Sequence, residues 1–485
     1  MNELRAPASS RRWWALGLIA AAQFMVIMDT SIIGVALPKM QADLGFSPGN
    51  LSWVFNAYVV AFGGLLLLGG RLSDLLGARR VFAGGWAVLL AGSVLAGFAS
   101  GVGTELAGRA LQGVGAALIA PAALTLLMML FGANPKELTK AIALYGAAAP
   151  AGGTAGVFLG GVITEYLSWP WVFFLNVPIA LVALIATPAL MPKAAARRGS
   201  VDLLGAATAT LGLGAGVYAI VRAPEAGWTS GSTLLVAAAA VVLLGLFVAI
   251  QAKRREPLMR LGIFTAPNLA AANVAQLLLG AAWVPMWFFL NLYLQQVLGL
   301  GAFPSGSALL PMTTFIMLGM IVVAPRLIAA IGPKKTLVSG MTVLTAGLAG
   351  LSLIRSDGSF WADVLPASLI AAAGMSLAFI PSLGIALSSA RPEEGGLASG
   401  IVNTSYQIGS ALGLAAMTAV AAANGADRLG DLVSLTSGYS AAFIGAAVIA
   451  AVGAVLAALS LRTSPAAPEQ SGDAAVGAAG APAAR

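Results

Sequence analysis

Apolar stretches follow one another along almost the whole chain, each separated from the next by a short break rich in Gly, Pro or charge. They fall near 14–37, 50–70, 81–99, 104–130, 138–164, 170–191, 202–222, 231–251, 267–297, 305–331, 335–354, 360–387, 397–424 and 437–461. A helix crosses the hydrocarbon of a bilayer with about 20 apolar residues, and these fourteen segments have that scale. Backbone groups in lipid must be satisfied within the segment, which favours helices. The short alternating segments of a membrane barrel do not occur. The expected fold is therefore an all-α polytopic membrane protein. The first segment follows Arg11 and Arg12 as a signal peptide would, but it outruns a signal h-region and contains Asp29, so it is read as a retained helix.

Composition agrees and narrows the chemistry. Only 9% of residues are charged, against roughly 25% in soluble domains. The chain has no Cys and no His. That removes disulfides, thiolate nucleophiles, imidazole acid–base work and most transition-metal sites. No metal and no cofactor is expected, and without clustered intramembrane acids the chain is not expected to be a membrane enzyme. No Gly-x-x-x-x-Gly-Lys-[Ser/Thr] loop supports nucleotide-driven transport, and no repeated filter segment supports a channel.

The net charge of +8 gains meaning from position. With the N-terminus inside, cytoplasmic segments hold Arg5, Arg11, Arg12, Arg71, Arg79, Arg80, Lys136, Lys140, Lys193, Arg197, Arg198, Lys253, Arg254, Arg255, Arg260, Arg326, Lys334, Lys335, Arg391, Arg462 and Arg485. Outer loops hold Lys39, Arg222, Arg355 and Arg428, and Arg109 lies within a span. The acids divide almost evenly. This is the positive-inside distribution, which puts both termini in the cytoplasm and removes the need for a nucleic-acid partner. The stretch 462–485, rich in Ala, Pro and Gly, is expected to be a disordered tail.

The chain also repeats itself. Gly70-Arg71-Leu72-Ser73-Asp74-Leu75-Leu76-Gly77-Ala78-Arg79-Arg80 has a counterpart in Pro325-Arg326-Leu327-Ile328-Ala329-Ala330-Ile331-Gly332-Pro333-Lys334-Lys335. Arg-Leu, the Gly and the closing basic pair recur 255 residues apart, on the same side of the membrane. Two six-helix bundles, 14–191 and 267–461, with two inserted helices at 202–251, give that offset. Residues 1–13 would form a cytoplasmic lead. Such repeats place a transport site between two rocking bundles.

These residues carry a resemblance. The 70–80 segment resembles the loop signature of the major facilitator superfamily. Leu-Ala-Gly-Arg-Ala-Leu-Gln-Gly-Val-Gly-Ala-Ala at 106–117, Met-Asp-Thr-Ser-Ile-Ile-Gly-Val-Ala-Leu-Pro at 28–38 and the Gly-rich run 152–161 resemble its fourteen-helix drug:proton antiporter branch. Asn176-Val177-Pro178 after Trp169 and Trp171, and Leu397-Ala398-Ser399-Gly400, fit the same branch. The likeness implies a major facilitator fold arranged 6+2+6 in a bacterial cytoplasmic membrane. It implies a monomeric proton-coupled exporter of lipophilic small molecules, with protons, cargo and membrane lipid as its partners. An uptake symporter of the same fold is the alternative, because the usual Gly-Pro of the fifth helix is Gly156-Val157 here. Pro150 is then the expected source of a bend. Pro170 also replaces a basic residue usual in that branch.

Asp29 is the one acid placed firmly inside a span, and a carboxylate there needs a proton or a partner. Arg109, at similar depth on the fourth helix, matches the family's proton-coupling arginine, with Gln112, Gly113 and Gly115 around it. Glu105, four residues earlier on the same helix face, is a rival partner for Arg109. Asp74 stands among Arg71, Arg79 and Arg80 between Gly70 and Gly77, and the likeness implies a gating loop there. Ala329 replaces Asp74 in the second copy. Pro150, Gly152, Gly156, Gly160 and Gly161 form the expected antiporter helix. Substrate contacts are expected from Asn56, Tyr58, Gln112, Trp287, Asn291, Asn403, Tyr406 and Gln407, since polar groups in a span need partners or a watery cavity. Helices ten and thirteen, 305–331 and 397–424, contain no acids, which suits neutral or singly charged lipophilic cargo.

Overall fold

The computed structural model describes residues 9–193, 200–389 and 395–462. The proposed tail beyond Arg462, together with Arg5, Arg197, Arg198 and Arg391, lies outside the described residues. Among the described residues there are helices and turns and no strand.

The spans are α1 Ser9–Leu44, α2 Trp53–Leu76, α3 Ala78–Gly97, α4 Val102–Phe131, α5 Pro135–Tyr166, α6 Trp171–Leu190, α7 Leu203–Ala226 and α8 Gly231–Lys253. Then come α9 Leu269–Val297, α10 Ala302–Ile331, α11 Pro333–Leu351, α12 Phe360–Ser389, α13 Leu397–Ala426 and α14 Leu432–Ser460. Thirteen are long and apolar enough to cross a membrane. The exception, α11, is a 19-residue helix that opens on Lys334 and Lys335 and carries several Thr, Ser and Gly, which dilute its apolarity. It packs on α12 and α14 like a full member of the bundle.

The repeated segments at 70–80 and 325–335 are not loops. Residues 70–76 are the last turns of α2, and α3 starts at Ala78, so Gly77 alone makes the turn, with φ 90°. Gly332 does the same between α10 and α11, with φ 83°. Only Gly adopts that conformation without a Cβ penalty.

Small residues set the helix contacts, as expected where lipid removes the hydrophobic drive between helices. Gly156 on α5 faces Ser31 Cβ and the Met28 carbonyl of α1, and Gly160 faces the Ile32 carbonyl. Gly85 and Gly92 bring α3 against α4, and Gly340 and Gly347, each 255 positions later, bring α11 against α12. Leu89 meets Gly115 as Leu344 meets Gly374. The sequence repeat is thus a repeat of contacts. The pair α7 and α8 lies outside these contacts: α7 touches both α2 and α13, while α8 rests chiefly on α7.

Hydrogen bonds between the first six and last six spans gather at the end remote from Gly77 and Gly332, whereas α2 and α13 also pack on each other farther along, Gly63 against Gln407 and Leu67 against Gly400. Among the described residues, these hydrogen bonds are three. Gln295 Nε2 donates to the Val35 carbonyl (2.9 Å), Gln296 Nε2 to Gln41 Oε1 (3.0 Å) and Ala302 N to Glu165 Oε2 (2.9 Å). Phe55 meets Phe288 edge-on, and Phe303 lies between Phe158 and Tyr166. The backbones at Gly161 and Gly306 are in contact.

Candidate functional site

Asp29 sits near the middle of the long α1, with about 22 Å of helix between it and Leu44. α1 overshoots α4 at the remote end, so this position lies level with Arg109, in the second turn of α4. Asp29 Oδ2 accepts from Arg109 Nη1 at 2.5 Å, and the two side chains are 2% and 0% exposed. A buried pair survives only when its remaining lone pairs and protons are also satisfied. The surroundings do most of this. Asp29 Oδ1 accepts from Gln112 Nε2 (3.1 Å) and Asn176 Nδ2 (2.9 Å). Arg109 Nη1 also donates to Gln112 Oε1 (2.7 Å), and Nε donates to the Val54 carbonyl (2.9 Å). Ser93 Oγ accepts from Gln112 (2.9 Å) and Asn176 (3.2 Å). The guanidinium carbon lies 4.7 Å from the centroid of the Tyr58 ring, a cation–π contact strengthened by burial.

Five helices supply this cluster. Gln112 follows Arg109 by three residues and shares its helix face. Gly92 lets α3 approach close to the Gln112 backbone, which brings Ser93 within reach. Asn176 enters because α6 is interrupted: a short turn Trp171–Phe174 ends at Leu175 before Asn176–Leu190 begins. The expected pairing of Asp29 with Arg109 is present, and Arg109 does not pair with Glu105. Ser93 and Asn176 were not among the expected site residues.

The other expected residues fall in separate places. Asn56 is fully buried two residues from Val54, and neither amide atom has a partner. Trp287 and Asn291 pack against Gly34 of α1, with Asn291 Nδ2 donating to the Trp287 carbonyl. On α13, Tyr406 meets Phe379 edge-on, and Gln407 lies against Gly63 of α2. Asn403 is exposed and donates to the Ser399 carbonyl. α5 runs unbroken through Pro150.

At the Gly77 end the expected charge cluster does not form around Asp74. Asp74 is exposed and makes no ion pair among the described residues. Arg71 instead pairs with Glu256 (2.7 Å) and donates to the Ser200 carbonyl (3.3 Å), and Arg79 donates to the Pro188 carbonyl (3.3 Å). The guanidinium of Arg71 is thus taken by the segments flanking α7 and α8. Glu256 also accepts from Ser200 N and Oγ, and these bonds, then Arg71, hold its carboxyl below the usual carboxylate range.

The comparisons with known proteins agree with this architecture. The Major Facilitator Superfamily model matches residues 19–414. The cephamycin export protein of Amycolatopsis lactamdurans is 37% identical over 469 residues, covering 95% of this chain and 96% of that protein. The puromycin resistance protein of Streptomyces alboniger is 36% identical, covering 87% of this chain and 84% of its own. Among solved structures, a nucleoside transporter superposes with a TM-score of 0.64 over 92% of this chain at 12% identity, a likeness of fold alone. The chain therefore belongs to the major facilitator superfamily, and it is a multi-pass membrane transporter rather than an enzyme.

Proposed function

We propose that this protein is a proton-coupled exporter of lipophilic, antibiotic-like small molecules, working as a monomer by alternating access. Residues 14–191 and 267–461 are its two bundles, 202–251 the inserted pair, and both termini are cytoplasmic. The Lys/Arg distribution supports that orientation, and the remote end is then the outer side. The arrangement described above is sealed outside, since the hydrogen bonds between the bundles lie there.

The observation that carries the proposal is the buried Asp29–Arg109 pair inside the first bundle. A proton reaching Asp29 cancels its charge and frees Arg109, so the two protonation states favour different packings of α1 against α4. Return of the emptied carrier then becomes coupled to proton entry. Asn56, Tyr58, Trp287, Asn291, Tyr406 and Gln407 are the proposed cargo contacts, and Asn403 is proposed to meet cargo at the inner mouth. Residues 70–80 act as the gate turn, and Gly152, Gly156, Gly160 and Gly161 hold α5 on its neighbours. Export rather than uptake is supported by the export and resistance roles named for the relatives.

The test is proton-driven transport of puromycin and ethidium into inverted membrane vesicles. Wild type accumulates at least one of them when a pH gradient is imposed, and Asp29→Asn does not. Equal accumulation by the variant, or accumulation by neither protein, rejects the proposal.

A further inference from the structure

Glu105 lies one turn before Arg109 on α4, is fully buried, and neither of its carboxyl oxygens has a hydrogen-bond partner. On Arg109, Nη1 and Nε are engaged while Nη2 has no partner. Two groups of opposite nominal charge, on one helix face, therefore remain apart with free polar atoms on both. An ionised carboxylate left unpaired at zero exposure is among the costliest arrangements a protein can hold. A protonated Glu105 removes that conflict and explains why the free edge of the guanidinium does not turn to it.

From this geometry we infer that Glu105 carries a proton in the arrangement sealed at the remote end and passes it to Asp29, while Arg109 changes partner from Asp29 to Glu105. This rests on the proton-coupled reading above. Glu105 is the fourth residue of α4, nearer the remote end than Arg109. Opening of that end wets Glu105 before the deeper Asp29, so it is placed to load first. In the transfer, the O–H bond of Glu105 breaks and an O–H bond forms on a carboxylate oxygen of Asp29. The negative charge moves from Asp29 to Glu105, and Arg109 retains one carboxylate partner on either side of the step. The proton on Asp29 leaves toward the cytoplasmic mouth, and Glu105 reloads when the remote end opens. One proton enters outside and one leaves inside, and nothing else is consumed. The charged groups that face Glu105 are Arg109 on its own helix and Asp29 on α1. Tyr58 of α2, stacked on Arg109, is the further titratable group at the cluster.

The inference is tested on the full chain in two ways. Infrared difference spectroscopy of the purified protein at neutral pH, without cargo, should show a protonated-carboxyl stretch. That band should disappear in Glu105→Gln and persist in Asp29→Asn. A wild type without the band, or a band that Glu105→Gln leaves intact, overturns the assignment. In proteoliposomes, Glu105→Gln should slow proton-driven puromycin transport by at least about tenfold, the lower end of what a positioned proton carrier contributes. Glu105→Asp, which keeps the carboxyl, should recover part of the rate. If Asp29→Asn stops transport and Glu105→Gln runs at the wild-type rate, the relay fails and the coupling reading stands. If both variants run at the wild-type rate, the coupling reading fails and takes the relay with it.

Discussion

Arg109 is held by one carboxylate, one amide, one backbone carbonyl and one aromatic face, contributed by three helices. A cluster of this kind fails through its supporting members as well as through its charges. Asn176 touches Asp29 and Ser93 without carrying a charge. Replacing it with Ala removes a hydrogen bond to an ionised group, a loss of about 1.5–3 kcal/mol. Asn176→Ala should therefore lower the thermal midpoint of the purified protein and slow proton-driven transport several-fold, with correct membrane insertion retained. An unchanged midpoint would show that Asn176 does not support Asp29. The charged pair was legible in the sequence, because two opposite charges at matched depth in apolar spans have few other places to go. Its supports were not. A lone Ser in an Ala- and Gly-rich span usually bonds its own backbone, as Ser382 and Ser410 do here. Ser93 looks the same until α3 and α4 are seen in contact. Asn176 depends on the interruption at Leu175, and its Asn-Val-Pro context reads equally well as a turn. Glu105 was a sensible partner by spacing, but spacing on a helix face fixes neighbourhood and not protonation.

Helix contacts here are set by where a Cβ is missing, and the glycines differ in how much they matter. A Cβ on Gly156 would lie 2.8 Å from Ser31 Cβ and 2.9 Å from the Met28 carbonyl, whereas one on Gly153 would meet nothing nearer than 3.8 Å. Gly156→Val should push α1, and Asp29 with it, away from α5, reducing both expression and transport. Gly153→Ala should be tolerated in both assays, and equal effects from the two would refute a packing role specific to Gly156. The repeat between α3–α4 and α11–α12 shows what the first bundle adds to a shared scaffold. Gly92 faces the backbone of Gln112 as Gly347 faces that of Ala371. By the same register, Arg109 corresponds to Ser368 and Ser93 to Leu348. The scaffold is duplicated and the polar cluster is not. The repeat was readable from the two basic turns. The span α11, read in the sequence as 335–354, relies on its neighbours more than on its own apolarity. At the Gly77 end, Glu256 is held below the usual carboxylate range by Ser200 and then Arg71. Its link to α2 is complete above the ordinary Glu value of about 4.3 and is lost as pH falls through the lower folded value. Thermal midpoints of wild type should fall over that acidic window more than those of Glu256→Gln, and parallel curves would remove the link from the account.

At the scale of the whole molecule, the first six and last six spans are hydrogen-bonded to each other at Gln41, Gln295, Gln296 and Glu165. The chain Tyr439 OH to Gln296 Oε1, and Gln296 Nε2 to Gln41 Oε1, links α14, α9 and α1 in one file of hydrogen bonds. Apart from the Glu165 carboxylate these are neutral groups, so each of their bonds contributes only about 0.5–1.5 kcal/mol net. Such a seal can hold a state without trapping it, as a carrier that must reopen requires. The pair α7–α8 touches α2 and α13, and neither the Asp29 cluster nor the seal draws a residue from it. If the bundles rock about this end, fixing the seal must stop transport even though the Asp29 cluster is untouched. The chain contains no Cys, so an introduced pair is the sole thiol pair available for bridging. Gln41→Cys with Gln296→Cys, joined by a short bifunctional thiol reagent, should abolish proton-driven transport. Cleaving the bridge with a reductant should restore it to the level of the unbridged double variant, and each single variant given the same reagent should remain active. Transport that continues through an intact bridge would mean that the remote end does not open during the cycle, and the exit path would then have to be sought elsewhere in the bundle.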